Sequence, residues 1–216
     1  MKKGLTELVL ILDASGSMHH LTNDTIGGFN SMIEKQKGEE GEALVSAITF
    51  NDTSRVIYDR VALGDVKEMT GKDYVACGCT ALIDAVGDAI HHISNVHKYI
   101  REEDVPEHTL FIITTDGLEN ASHKRTSDEV KKMIAAKQEQ GWEFIFLGAN
   151  IDAVETARAL NIDEDHSVDF NADGLGVACM MESVNEAVRA KRGGQRKLSP
   201  SWKVRVAEDY AERNGK

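Results

Sequence analysis

Near the N-terminus, Asp13-Ala14-Ser15-Gly16-Ser17-Met18 places one carboxyl and two hydroxyl side chains at alternate positions. Two further groups of the same chemistry follow, Thr80 in Gly78-Cys79-Thr80-Ala81 and Asp116 in Thr114-Thr115-Asp116-Gly117. Ser15, Ser17 and Thr80 offer neutral oxygens, while Asp13 and Asp116 offer charge, directly or through water. Such a donor set suits a hard divalent cation: Mg2+ in the first place, with Mn2+ or Ca2+ as alternatives. With so few carboxylates the ion would stay electrophilic and keep an exchangeable position that favours an incoming carboxylate. The same residues also have plain structural uses, Ser15 and Ser17 as helix caps and Asp116 as a turn former, with no metal at all. His19, His20, Asn51, Asp52, Glu119 and Asn120 lie beside these groups or at equivalent strand ends. They are candidates for a partner-binding rim, against the ordinary use of such residues in turns and helix entries.

For these groups to meet, strand ends must bring them together. Leu8–Leu12, Ala43–Phe50, Leu110–Thr114 and Phe144–Leu147 are near-continuous apolar runs, as expected of strands buried on both faces. Arg55–Val61 follows the Asn51-Asp52-Thr53 turn and reads as an antiparallel edge strand; Ser167–Phe170 is a weaker final strand. Between the runs lie segments of helical period. Ile26, Phe29 and Ile33 mark one, Leu82, Val86, Ala89, Ile93 and Val96 a longer one, and Val154, Ala157 and Leu160 a short one. Thr126 and Glu129 form a capping box before Val130, Met133 and Ile134. Val177, Met180, Met181, Val184 and Val188 mark the last, with the Met pair on its core face. This alternation predicts an α/β fold, a doubly wound, mostly parallel central sheet with one antiparallel edge strand and helices on both faces. In such Rossmann-like sheets the functional crevice lies at the carboxyl ends of the strands, where strand order reverses. Asp13 and Asp116 both follow apolar runs and so fall at such ends.

Charge and composition narrow the function. With 216 residues and a net charge of −11 the chain reads as an acidic globular protein, which argues against nucleic-acid or anionic-membrane binding. The apolar run ending at Asp13 is too short for a signal peptide, and no stretch reaches membrane-spanning length, so a cytoplasmic location is expected. Cys77 and Cys79 are too close together for an unstrained disulfide, and no matching Cys or His pair points to zinc. Cys79 reads as a small space-filler and Cys179 as a core residue. His91, His92 and His97 read as solvated helix residues.

Taken together, Asp13-x-Ser15-x-Ser17, Thr80 and Thr115-Asp116-Gly117 resemble the metal-ion-dependent adhesion site of von Willebrand factor A and integrin inserted domains, in the order that family has them. A departure is Gly78-Cys79, where many intracellular relatives have small residues or Gly-Gly. The resemblance covers residues 4–190, leaving 191–216 as a polar C-terminal tail, basic at first, with Trp202 among its charges. It implies that Asp13, Ser15, Ser17, Thr80 and Asp116 surround the metal and that a partner protein donates an Asp or Glu. It further implies a bacterial intracellular type of domain, of a kind working beside ATPase machines or stress-response operons. An enzyme is not expected: a haloacid-dehalogenase-like phosphatase needs a second Asp where Ser15 stands, and neither a Gly-x-Ser-x-Gly elbow nor a P-loop is present. A metal-dependent hydrolase or phosphatase, or a metal-independent scaffold, stand as the alternatives.

Overall fold

A computed structural model of the chain describes residues 1–215. Six strands form one sheet in the order β3-β2-β1-β4-β5-β6. They are β1 (Lys2–Asp13), β2 (Glu42–Phe50), β3 (Ser54–Ala62), β4 (Pro106–Thr115), β5 (Glu143–Gly148) and β6 (Ser167–Asp169). All neighbours run parallel except β3, which is antiparallel to β2, as the turn at residues 51–53 predicts. The helices are α1 (Thr22–Lys37), α2 (Leu82–Tyr99), α3 (Ser127–Gln138), α4 (Ala153–Ala159), α5 (Gly174–Arg192) and α6 (Val204–Asn214).

Side chains of β1 alternate between two cores, because successive residues of a strand point to opposite faces. Leu8, Leu10 and Leu12 pack with Phe29 and Ile33 of α1 and with Met181, Val184 and Val188 of α5. Val9 and Ile11 pack on the other face with Val86 and Ile90 of α2, Val130 and Ile134 of α3 and Ala157 of α4. Burial on both faces accounts for the unbroken apolar runs in sequence. The Thr126–Glu129 capping box forms in both directions at the start of α3.

Glu7 interrupts the apolar run of β1, yet it is fully buried. Its two oxygens are taken by Arg60 Nε at 2.6 Å and His97 Nε2 at 2.7 Å. His97 was expected to be solvated; instead its ring lies against Glu7 and edge-on to Trp142. A buried carboxylate without such partners would be strongly destabilising, so the charge on β1 draws a residue inward from the edge strand and another from α2.

The region after α5 departs from a solvated tail. Leu198, Trp202 and Val206 are buried in the same core as α1 and α5. Trp202 donates its indole N–H to the Asp165 carbonyl at 3.1 Å. Leu198 precedes the turn Pro200–Lys203, the turn buries Trp202 and α6 buries Val206, while the charges between them stay outside. Arg213 of α6 forms an ion pair with Asp173, the N-cap residue of α5. Among the described residues no helix is long and apolar enough to cross a membrane.

Candidate metal centre

Strand order reverses between β1 and β4, which leave the sheet centre with their connections on opposite sides. Leu12 stands beside Thr114 in register, so the Asp13 and Asp116 ends emerge next to one another although 103 residues apart. Past Asp13 the chain enters a 3-10 turn, Gly16–Leu21, that leads into α1. Close backbone approach fixes this loop against residues 77–78: Gly16 N–H donates to the Gly78 carbonyl at 3.0 Å and Cys77 N–H to the Ala14 carbonyl at 2.9 Å. Gly78 has φ +77°, and a Cβ there would collide with Asp52 at 1.9 Å, so only glycine fits.

Oxygen atoms from three loops converge here. Ser15 Oγ and Ser17 Oγ are 3.0 Å apart, and the Ser17 hydroxyl donates to Asp116 Oδ1 at 2.5 Å. A Cβ placed at Gly117 would lie 3.7 Å from both Ser17 Oγ and Thr80 Oγ1, so the Thr80 hydroxyl reaches the same spot as that of Ser17. Asp13 is fully buried and oriented by two donors, Ser15 N–H to Oδ1 at 2.7 Å and the Thr115 hydroxyl to Oδ2 at 2.6 Å. The structure therefore gathers Asp13, Ser15, Ser17, Thr80 and Asp116 at one strand edge.

Asp116 carries the imbalance of the cluster. Its Oδ2 is buried and has no hydrogen-bond partner. Burial, with Asp13 nearby as a second negative charge, pushes its carboxyl above the usual range despite the Ser17 hydrogen bond. An orphaned buried carboxylate oxygen lacks a compensating positive charge or proton. The donors fit a hard cation: they are oxygens only, and a hydroxyl that gives its proton to Asp116 still has lone pairs for an ion. Among the described residues no group of three or more His, Cys, Asp or Glu side chains is placed to hold a metal, so any ion here would depend on the hydroxyls as well as the two carboxylates. Cys77 and Cys79 are free and exposed, and the hydrogen bond to Asp52 holds the Cys79 thiol above its ordinary value.

Among the rim candidates, several have structural partners. Asn120 locks Thr80 in place, its Oδ1 accepting the Thr80 N–H at 2.9 Å and its own N–H meeting the Thr80 carbonyl at 3.0 Å. Glu119 accepts the Ile83 N–H of α2 at 2.9 Å and the N–H groups of Ala121 and Ser122. Asn51 holds the Ala81 N–H through its carbonyl, and Asp52 Oδ2 accepts the Cys79 N–H. The His20 ring lies between two carbonyl oxygens, Ser17 at 2.8 Å and Ala172 at 3.2 Å, and ties the loop to the start of α5. His19 is exposed.

Two supporting residues were not read from sequence as part of the site. Thr115 orients Asp13, and the buried Tyr74 donates its hydroxyl to the Asp13 carbonyl. Tyr74 sits in the irregular stretch between β3 and α2, where nothing periodic signals a role; Thr115 had a signal only in its place beside Asp116.

No protein-family model matches the sequence, and no curated protein matches it. Solved structures do resemble it in fold. Proximal thread matrix protein 1 from the mussel byssus superposes with a TM-score of 0.62 at 14% identity, over 86% of this chain and 46% of that one. The chain thus spans about half of that protein's length. The vWF domain of the type V pili tip protein Mfa5 from Porphyromonas gingivalis gives 0.61 at 10% identity, over 86% of this chain and 95% of that one. Manganese-loaded Plasmodium vivax TRAP protein gives 0.54 at 13% identity, over 82% and 73%. One structure of the mussel protein has a zinc-occupied MIDAS motif.

Proposed function

Starting from a chain with the von Willebrand factor A fold, we propose that it is a divalent-cation-dependent protein-binding module and not an enzyme. Asp13, Ser15, Ser17, Thr80 and Asp116 would hold the ion, directly or through water. Bound there, Mg2+, or Mn2+ or Ca2+ in its place, supplies positive charge to which an Asp or Glu of a partner protein attaches. Asp116 Oδ2 carries this reading, as a buried carboxylate oxygen without a donor amid hydroxyls from separate loops. A zinc-occupied MIDAS and a manganese-loaded neighbour of the same fold support it. The free, exposed thiols of Cys77 and Cys79 support a reducing, cytoplasmic setting.

The chain's own residues have defined tasks in this function. Thr115 and the Ser15 amide orient the Asp13 carboxylate, Asn120 fixes the Thr80 backbone, and Ser17 links the first loop to Asp116. Mn2+ titration by calorimetry tests the site. Asp13→Ala and Thr80→Ala should abolish the binding heat while circular dichroism stays unchanged. Capture of proteins in MgCl2 against chelator should then differ for the wild type and not for either variant. Wild-type protein that takes up no cation, or variants that bind it undiminished, would remove the reading.

A further inference from the structure

Beside the metal centre a groove of about 530 Å3 runs between the start of α2, the loop after β4 and α4. Its walls continue directly from the proposed ligands: Leu82 and Ile83 come just after Thr80, and Leu118 lies two positions past Asp116. Ile151 and Leu160 close the far side. Leu118 is 67% exposed, a large apolar side chain held in water at the mouth of a polar site. An isolated exposed leucine is ordinary, but one that lines an apolar groove built partly from residues just after Thr80 and Asp116 in sequence offers a seat for another apolar group.

Charge around the groove selects what kind of segment sits in it. No Lys or Arg among the described residues lines it, whereas Asp152 and Glu155 stand exposed at the α4 side, with Asp152 Oδ1 capping the helix at the Glu155 N–H and Arg158 one turn further along, outside the groove lining. Glu119 also lines it, but its two oxygens already accept three backbone N–H groups and the Ser122 hydroxyl, so it has little left to offer a ligand. A purely acidic partner segment would be attracted by the cation and repelled by Asp152 and Glu155. A segment that carries a positive charge beyond its acidic residue satisfies both ends.

We propose that this groove seats a large apolar side chain of the partner's segment, next to the acidic residue at the metal, with a Lys or Arg of the same segment meeting Asp152 and Glu155. The inference rests on the metal-dependent reading above and names the partner chemistry of that site. Burying one Leu-sized side chain is worth roughly tenfold or more in affinity, enough to separate one acidic segment from another.

The test uses fluorescein-labelled peptides on the full chain, read by anisotropy in MnCl2 and in EDTA. The peptides hold one Asp, a Leu one to three positions later and a Lys after it, in a Gly-Ser background, with Leu→Gly and Lys→Glu counterparts. The best Asp-Leu-Lys peptide should bind about tenfold tighter than its Leu→Gly counterpart, and more tightly than its Lys→Glu counterpart, in MnCl2 only. Leu118→Asp, and separately Ala159→Trp to fill the groove, should erase the Leu preference. Calorimetric Mn2+ uptake should be the same in both variants as in the wild type. Unchanged Mn2+ uptake with no Leu preference, or with a preference that survives both variants or EDTA, overturns the groove alone. Absence of Mn2+ uptake by the wild type overturns the metal reading and the groove with it. A concentration-dependent dimer in sedimentation that Leu118→Asp abolishes would assign the groove to a second copy and also overturn the proposal.

Discussion

Asp13 shows how much a single side chain at the centre depends on its supports. Its carboxylate is buried, and one of its two oriented oxygens is held by a hydroxyl 102 residues away, that of Thr115. Removing that hydroxyl without changing volume much should loosen the carboxylate and leave the strand intact. Thr115→Val is expected to weaken Mn2+ binding by about 10–100-fold, the usual effect of removing a group that orients a ligand, with an unchanged circular dichroism spectrum as the control that the fold is retained. The five oxygen-bearing side chains that converge here were readable in the sequence because three of them sit in one hexapeptide, Thr80 opens a predicted helix and Asp116 closes a predicted strand. Thr115 and Tyr74 were not, because their roles are contacts between distant segments and leave no local spacing. Glu7 was legible only as a break in a pattern; the partners that make a buried carboxylate tolerable there, Arg60 and His97, come from elements that sequence spacing alone does not pair.

Between elements, the loop after β4 is stitched to the first turn of α2. Asp84 of α2 is the main stitch, its carboxylate accepting backbone N–H groups from His123, Lys124 and Arg125, while its own N–H meets Ser122. Burial would raise its pKa, but the three N–H donors outweigh that and hold it below the usual carboxylate value. A carboxylate depressed in the folded state stabilises the protein above its unfolded pKa of about 4, and that contribution fades as pH falls through the folded value. Asp84→Ala should therefore lower stability by about 1–3 kcal/mol at pH 7. Urea melts at a series of pH values should show this gap constant near neutrality and narrowing below about pH 4. Since Thr80 precedes α2 and Asp116 precedes the stitched loop, the same variant should also weaken Mn2+ uptake. The elements themselves were readable from apolar runs, helical periods and the Thr126–Glu129 box. The stretch between β3 and α2 was not, since it buries Leu63, Val66, Met69 and Tyr74 in an irregular path with no period to detect.

The described residues form one sheet, two cores and a closing C-terminal segment that belongs to the first core. Trp202, 4% exposed, is the anchor of that segment. Trp202→Ala should cost about 3–5 kcal/mol, as expected for emptying a buried aromatic site, read as a fall in the urea midpoint. Mn2+ affinity at the Asp13 site should not change, because Trp202 is anchored at the Asp165 carbonyl, just before β6, which lies at the margin of the sheet and is the third strand away from β1. In sequence, scattered apolar residues among many charges in 195–216 look like a solvated extension, since the surface that Leu198, Trp202 and Val206 cover becomes visible only once α5 and β6 are packed together.

Strand β1 spans the molecule, beginning at Lys2 and ending at Asp13, about 36 Å away at ordinary strand rise. Residue 2 and the oxygen cluster are thus at opposite poles of the same rod. A support fastened to the N-terminal pole would hold the molecule upright, with its cation-binding loops facing outward and unobstructed. The C-terminal helix, whose Arg213 reaches the start of α5, runs back toward the working pole, so cargo attached there would stand beside the visitor and crowd it. The polarity of one strand thereby decides at which pole an immobilised molecule leaves its oxygen cluster open.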